Sequence, residues 1–168
     1  EATEPPPLTQ GRARSRRRFP FLKQHDASDC GAACLAMVCR HYRMPIGMSR
    51  LRDMASVSQQ GTSLAGIAEA AESLGFMPRG IRTGYDQLIR ADLPAILHWQ
   101  GNHFIVLVRA TRDGVRVADP AVGIRKLSRE KFLAGWTRVA LLLTHTDRVS
   151  DNEPATTSLK RFVPLVRP

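Results

Sequence analysis

Apolar positions change rhythm once along this chain, near Gly75. Ahead of that point they recur at helical spacing. Leu35, Val38 and Tyr42 stand at i, i+3 and i+7, which predicts a helix over 29–42 with Asp29 as its N-cap and Pro45 ending it. A short helix is expected over 49–55 and a third over 63–74, with Gly75 just past its end, where helices turn left-handed. Beyond Gly75 the apolar residues come in short runs. These predict strands over 76–82, 95–99, 103–109, 115–118, 123–127 and 139–143, with turns at Gln100-Gly101-Asn102 and Arg112-Asp113-Gly114. Helical turns fill 85–90 and 128–133, the second opened by Ser128. Helices first and an antiparallel sheet second make an α+β domain.

Length and composition narrow the class. The 168 residues suffice for one domain with its own core, and 43% hydrophobic residues exclude wholesale disorder. The longest apolar runs, 104–108 and 139–143, fall well short of the ~20 residues that span a bilayer. The first 20 residues carry Pro5-Pro6-Pro7 and an arginine run but no apolar segment of a signal peptide. The chain opens on Glu1 and reads as a piece of a longer protein.

Charge is abundant but spread. Residues 1–20 hold five Arg against two Glu, and residues 147–168 hold four basic against three acidic side chains. Both stretches read as linkers, leaving 21–146 as the folded domain with most of the +10 net charge. The run Arg12-Ala13-Arg14-Ser15-Arg16-Arg17-Arg18 invites comparison with phosphate-binding tails. It has no interleaved aromatic, zinc-finger spacing or recognition helix, so a solvated linker near anionic headgroups is favoured and nucleic acid is not an expected partner.

Three cysteines make no disulfide framework, and an odd count points to a reducing compartment. A metal site from Cys30, Cys34, Cys39 and His41 fails on geometry. On one helix Cys39 falls half a turn round from Cys30, and His41 lies about 16 Å along the axis. No metal and no cofactor is expected.

Cys34 and Cys39 read as small buried hydrophobes. Cys30 is different because it starts the helix, where the dipole's positive end favours a thiolate, and Gly31-Ala32-Ala33 leave room for another chain to approach. A nucleophilic cysteine needs a base, an orienter for it and oxyanion donors. His103, opening an apolar strand, is the best base among five histidines, with His98 on the neighbouring strand its competitor. Asp119 ends the next strand and returns alongside His103 if the loop between them is long or bulged; a strict two-residue loop offsets the pair by about three positions. Gln24, six residues before Cys30, can donate to an oxyanion together with the Cys30 backbone N–H.

The blocks Gln24-His25-Asp26-Ala27-Ser28-Asp29-Cys30-Gly31-Ala32-Ala33-Cys34-Leu35-Ala36-Met37, His98-Trp99-Gln100-Gly101-Asn102-His103-Phe104-Ile105-Val106-Leu107 and Val117-Ala118-Asp119-Pro120-Ala121-Val122-Gly123 occur in that order. Together they resemble the double-glycine leader peptidase domain of peptidase-containing ABC transporters. The resemblance spans about residues 19–144. It implies a papain-like cysteine peptidase fold with Cys30 as nucleophile, His103 as base, Asp119 as orienter and Gln24 as oxyanion donor. It further implies a domain on the cytosolic side of the bacterial cell membrane that removes the leader of an exported peptide after Gly-Gly or Gly-Ala. The implied partners are that leader peptide and the transmembrane and ATP-binding domains of its own transporter, a homodimer in the parent protein. Two positions depart from the pattern: Arg43, where glycine is common after the Tyr, and Arg138, where small residues are common. The alternatives are a catalytically idle leader-docking domain and a basic nucleic-acid or membrane-surface module.

Overall fold

A computed structural model describes residues 18–145; the linkers expected at 1–20 and 147–168 lie outside the described residues except for 18–20. After a 3-10 turn at Ala27–Asp29 come helices α1 (Cys30–His41), α2 (Met48–Met54) and α3 (Leu64–Ser73). Strand β1 (Phe76–Arg82) and the single turn α4 (Tyr85–Leu88) follow, then β2 (Ala95–Trp99), β3 (His103–Ala110), β4 (Gly114–Asp119) and β5 (Gly123–Ser128). Helix α5 (Arg129–Gly135) leads into β6 (Trp136–His145). The six strands form one antiparallel sheet in the order β1-β6-β2-β3-β4-β5. The last strand is thus not an edge. It slots between β1 and β2 and begins earlier than its apolar run 139–143 suggested.

Helix α1 is more than an amphipathic surface helix. Every residue from Cys30 to Cys39 is buried, the mark of a helix enclosed on all sides. It packs on β3 and against α2 and α3, and its small residues Ala32, Ala33 and Ala36 let those neighbours close in. Gly31 shows how tight this is. A Cβ there would come within 2.5 Å of Thr62 Cγ2 and 2.9 Å of Ile67 Cδ1. What approaches at Gly31 is therefore the chain's own α2–α3 segment rather than an incoming partner.

One core lies between α1–α3 and the sheet, with Leu35, Met37, Ile67, Phe76, Val106 and Leu141 among its members; Phe19 is buried in it too. A second core covers the opposite face, where Leu88, Leu97, Leu107, Phe132 and Trp136 meet. Pro78 is tolerated because β1 is an edge strand.

Both family departures sit in left-handed backbone, Arg43 at φ 61° and Arg138 at φ 71°. Arg43 is the residue after the α1 C-cap. Its N–H donates to Arg40 O (3.0 Å) and the Met44 N–H to Cys39 O (2.8 Å), the double closure of a Schellman motif. Glycine adopts this conformation without a Cβ penalty, which is why it is common there. Arg43 is exposed, so Arg43→Gly is expected to raise stability by about 0.5–1 kcal/mol, read as a higher denaturant midpoint at unchanged slope.

Candidate active site

The 3-10 turn at Ala27–Asp29 runs straight into α1, so Cys30 occupies the first helical position, 5% exposed. Asp29 stands where the N-cap was expected but makes no capping bond to α1. Its carboxylate turns back to accept the Asp26 N–H (3.3 Å) and meets Arg52 Nη1 at 2.8 Å.

His103 is placed by the β2–β3 connection. Gln100 and Gly101 both take positive φ, the Asn102 N–H donates to Trp99 O (3.3 Å), and His103 comes to lie opposite Trp99. The open question of register is resolved by a bulge. Val106 faces Ala118 and Leu107 faces Val117, whereas Arg109 faces Arg116, so Val108 is the extra residue. Carrying the Val106–Ala118 register one pair further sets Asp119 against Ile105, two positions along from His103. Side chains in that diagonal relation still reach each other.

They meet: His103 Nε2 lies 2.8 Å from Asp119 Oδ1. Asp119 is 3% exposed, and it accepts two further bonds. Oδ1 also accepts the Ala121 N–H (2.9 Å), and Oδ2 accepts from Arg125 Nη2 (3.2 Å). Burial pushes the Asp119 carboxyl up, but the bonds from His103 and Ala121 and the charges of His103 and Arg125 outweigh it and leave the pKa below the ordinary value. His103 is raised from 6.5 to about 9, first by its bond to Asp119 and then by a bond to Cys30, against the opposing effect of burial. With Nε2 turned to Asp119, Nδ1 is the ring atom left for the sulfur.

Gln24 joins from outside the regular elements. Its N–H donates to Pro120 O (2.9 Å), which ties it to the residue after Asp119. Its side-chain Oε1 is buried without a hydrogen-bond partner among the described residues, so this oxygen is not committed to holding the fold. Gln24, Trp99, Asn102, His103, Asp119 and Val122 wall one cleft of about 390 Å³.

The other candidates separate cleanly. His98 Nδ1 sits 2.9 Å from Thr137 Oγ1, and that hydroxyl donates to His98 O (3.1 Å), so this histidine ties β2 to β6. His41 packs tilted against Phe19, and His145 stacks on Tyr42. Burial pushes the Cys34 thiol well above its usual range and the Cys39 thiol to about 11, so neither supplies a thiolate near neutral pH. All three cysteines are free, and among the described residues no group of three or more His, Cys, Asp or Glu could hold a metal ion. Arg125, the Ala121 N–H and Arg52 were not legible from sequence. Arginines are too common in this chain for one to stand out, and a backbone donor leaves no residue-type signal.

Helices packed on an antiparallel sheet, with a cysteine at a helix start and a His–Asp pair on adjacent strands, define a papain-like cysteine peptidase domain. The chain belongs to the Peptidase C39 family, whose model matches residues 18–148. It is 42% identical over 128 residues to the Colicin V secretion/processing ATP-binding protein CvaB of Escherichia coli, covering 76% of this chain and 18% of that protein. Among solved structures it matches a double glycine motif protease from an AMS/PCAT transporter in complex with the leader peptide, with TM-score 0.73 and 32% identity, covering 79% of this chain and 96% of that one. It also matches the peptidase domain of Streptococcus ComA, a bi-functional ABC transporter in a quorum-sensing pathway, with TM-score 0.72 and 30% identity, covering 77% of this chain and 100% of that one. The chain spans about a fifth of the length of the curated relatives it matches. No helix among the described residues is long and apolar enough to cross a membrane.

Proposed function

We propose that this chain is the leader peptidase domain of an ABC-type peptide exporter and cuts a precursor after a double-glycine pair. The observation that carries this reading is His103, held at 2.8 Å by the buried Asp119 on the adjacent strand, with Cys30 at the first position of α1. In the first half-reaction His103 takes the Cys30 proton and the thiolate attacks the scissile carbonyl carbon. Gln24 and the Cys30 backbone N–H donate to the oxygen that becomes negative. The C–N bond then breaks as the His103 imidazolium protonates the leaving amine, which leaves a thioester on Cys30. In the second, His103 deprotonates a water that attacks the thioester, and the freed Cys30 sulfur recovers the proton. Asp119 keeps the ring turned toward the sulfur and stabilises its charge. Cys30 is recessed at 5% exposure, which supports a scissile residue without a side chain, since glycine allows the closest backbone approach.

The folded domain is assigned to residues 21–146 together with Phe19, which packs in the core, and the remaining flanking stretches are read as linkers. Its partners on this reading are the leader peptide and the transmembrane and ATP-binding domains of its own transporter, which acts as a homodimer. The location is the cytoplasmic face of the bacterial cell membrane. The leader complex of the similar AMS/PCAT protease supports the leader as partner, and the transporter relatives support the transporter domains as partners.

A peptide ending in Gly-Gly and carrying a thiol-reactive carbonyl group tests the reading. Mass spectrometry should find one adduct per chain, on Cys30, with Cys34 and Cys39 unmodified. An adduct confined to another cysteine, or none where a simple alkylator labels Cys30, would remove it.

A further inference from the structure

Asp29 is a buried anion in an awkward place. It directly precedes Cys30, a side chain that must itself become negative, and it is 1% exposed. A negative charge on the residue before a nucleophilic thiol works against that thiol unless another charge offsets it. Among the described residues the one cation in ion-pair range of Asp29 is Arg52, with Nη1 2.8 Å from Oδ1. Oδ1 has no partner of hydrogen-bonding geometry, so this contact acts as a charge pair. Oδ2 is taken by the Asp26 N–H, which folds the carboxylate back over the turn that delivers Cys30.

Arg52 is itself held in place. It lies in the last turn of α2, and its carbonyl accepts the Val57 N–H (2.9 Å) as the chain turns left-handed at Ser56, φ 52°. Its side chain reaches Asp29 while staying 40% exposed, beside a hollow lined by Asp26, Ala27, Ser28, Val57, Ser58 and Gln59. Helix α2 thus presents a cation to the residue before the nucleophile. Losing that cation would strand a buried charge, which is far costlier than losing an exposed ion pair.

We propose that Arg52 is a positioning residue for Cys30: it neutralises the buried Asp29 carboxylate that precedes the nucleophile, so that Cys30 stays reactive. This rests on the peptidase reading above for its use in catalysis, but its effect on Cys30 reactivity does not require leader recognition. A plain tether between α1 and α2 would show up differently. A tether is lost with Arg52 whatever stands at 29, whereas a neutralising role disappears once residue 29 carries no charge.

The test compares wild type, Arg52→Gln, Arg52→Lys and the double variant Asp29→Asn/Arg52→Gln, all in the 168-residue chain. Iodoacetamide labelling of Cys30 at pH 7 is followed by mass spectrometry, and precursor cleavage is measured alongside. Arg52→Gln is expected to slow labelling by about tenfold and to lower kcat with KM nearly unchanged. Arg52→Lys and the double variant should recover labelling to within about threefold of wild type, on the same grounds. Wild-type labelling in Arg52→Gln, or a double variant as slow as Arg52→Gln, would overturn the proposal. If Arg52→Gln does not fold, the double variant and Arg52→Lys still decide, because a tether requires the double variant to fail as well. A wild-type chain that labels on Cys30 but cuts no double-glycine precursor would instead sink the peptidase reading and leave the labelling comparison standing.

Discussion

Cys30→Ala is expected to lower precursor cleavage by at least roughly 10⁴-fold while leaving leader binding within a few-fold of wild type. The sulfur is the atom that forms the acyl bond, and no other thiol substitutes for it. Cys34 is fully buried one turn further along α1, and Cys39 lies at its far end. His103→Ala should be as damaging, and the double variant hardly worse than either single one, because the pair acts as a unit and its effects do not add. Binding should survive because the sulfur and the ring offer little contact area to a peptide; Cys30 is 5% exposed. Single-turnover cleavage and anisotropy of a labelled leader measure the two quantities separately. Turnover retained in Cys30→Ala would end the mechanism, and an inactive His98→Ala beside an active His103→Ala would show that the wrong histidine was chosen as base.

Local signals carried most of the element boundaries. The helical spacing around α1, Gly75 past α3 and the turn residues before β3 and β4 each act over a few residues, and there the structure follows them closely. What sequence did not reveal depends on distant partners. The insertion of β6 between β1 and β2 is a pairing across the whole sheet, and no property of residues 136–145 alone specifies it. The meeting of His103 with Asp119 turns on one bulge residue, Val108, which looks like any other apolar strand residue. Asp29 shows how a local rule can be overridden. An Asp before a helix is a sound N-cap, but here the part-exposed Arg52 guanidinium from α2 and the Asp26 N–H take the carboxylate instead. Arg43 and Arg138 went the other way. Their oddity was visible as departures from the resemblance, and the structure supplies the reason in their positive φ.

The charge on His103 gives the sharpest test of Asp119. Protonated His103 must deliver a proton to the leaving amine, so kcat/KM should fall as pH rises through about 9, the value to which Asp119 and Cys30 raise it. That alkaline limb belongs to the coupled Cys30–His103 pair and not to one group alone. Asp119→Asn keeps the shape but removes the carboxylate that does most to hold the proton. The limb should then move down by at least about one pH unit toward the ordinary value of 6.5, with the maximal rate reduced by roughly 10²–10³. Stability carries the same sign. A folded-state pKa above the unfolded one stabilises fully below about pH 6.5 and ceases to stabilise as pH rises through about 9. Wild type should therefore lose stability relative to Asp119→Asn across that window, in denaturant titrations at stepped pH. On the acid side the depressed carboxyl of Asp119 contributes above its unfolded pKa and loses that contribution as pH falls through the folded one, and there Ala121 and Arg125 share the effect with His103. An Asn variant whose limb stays near pH 9 would mean that Cys30 alone holds the proton on His103, and Asp119 would lose its assigned role as orienter.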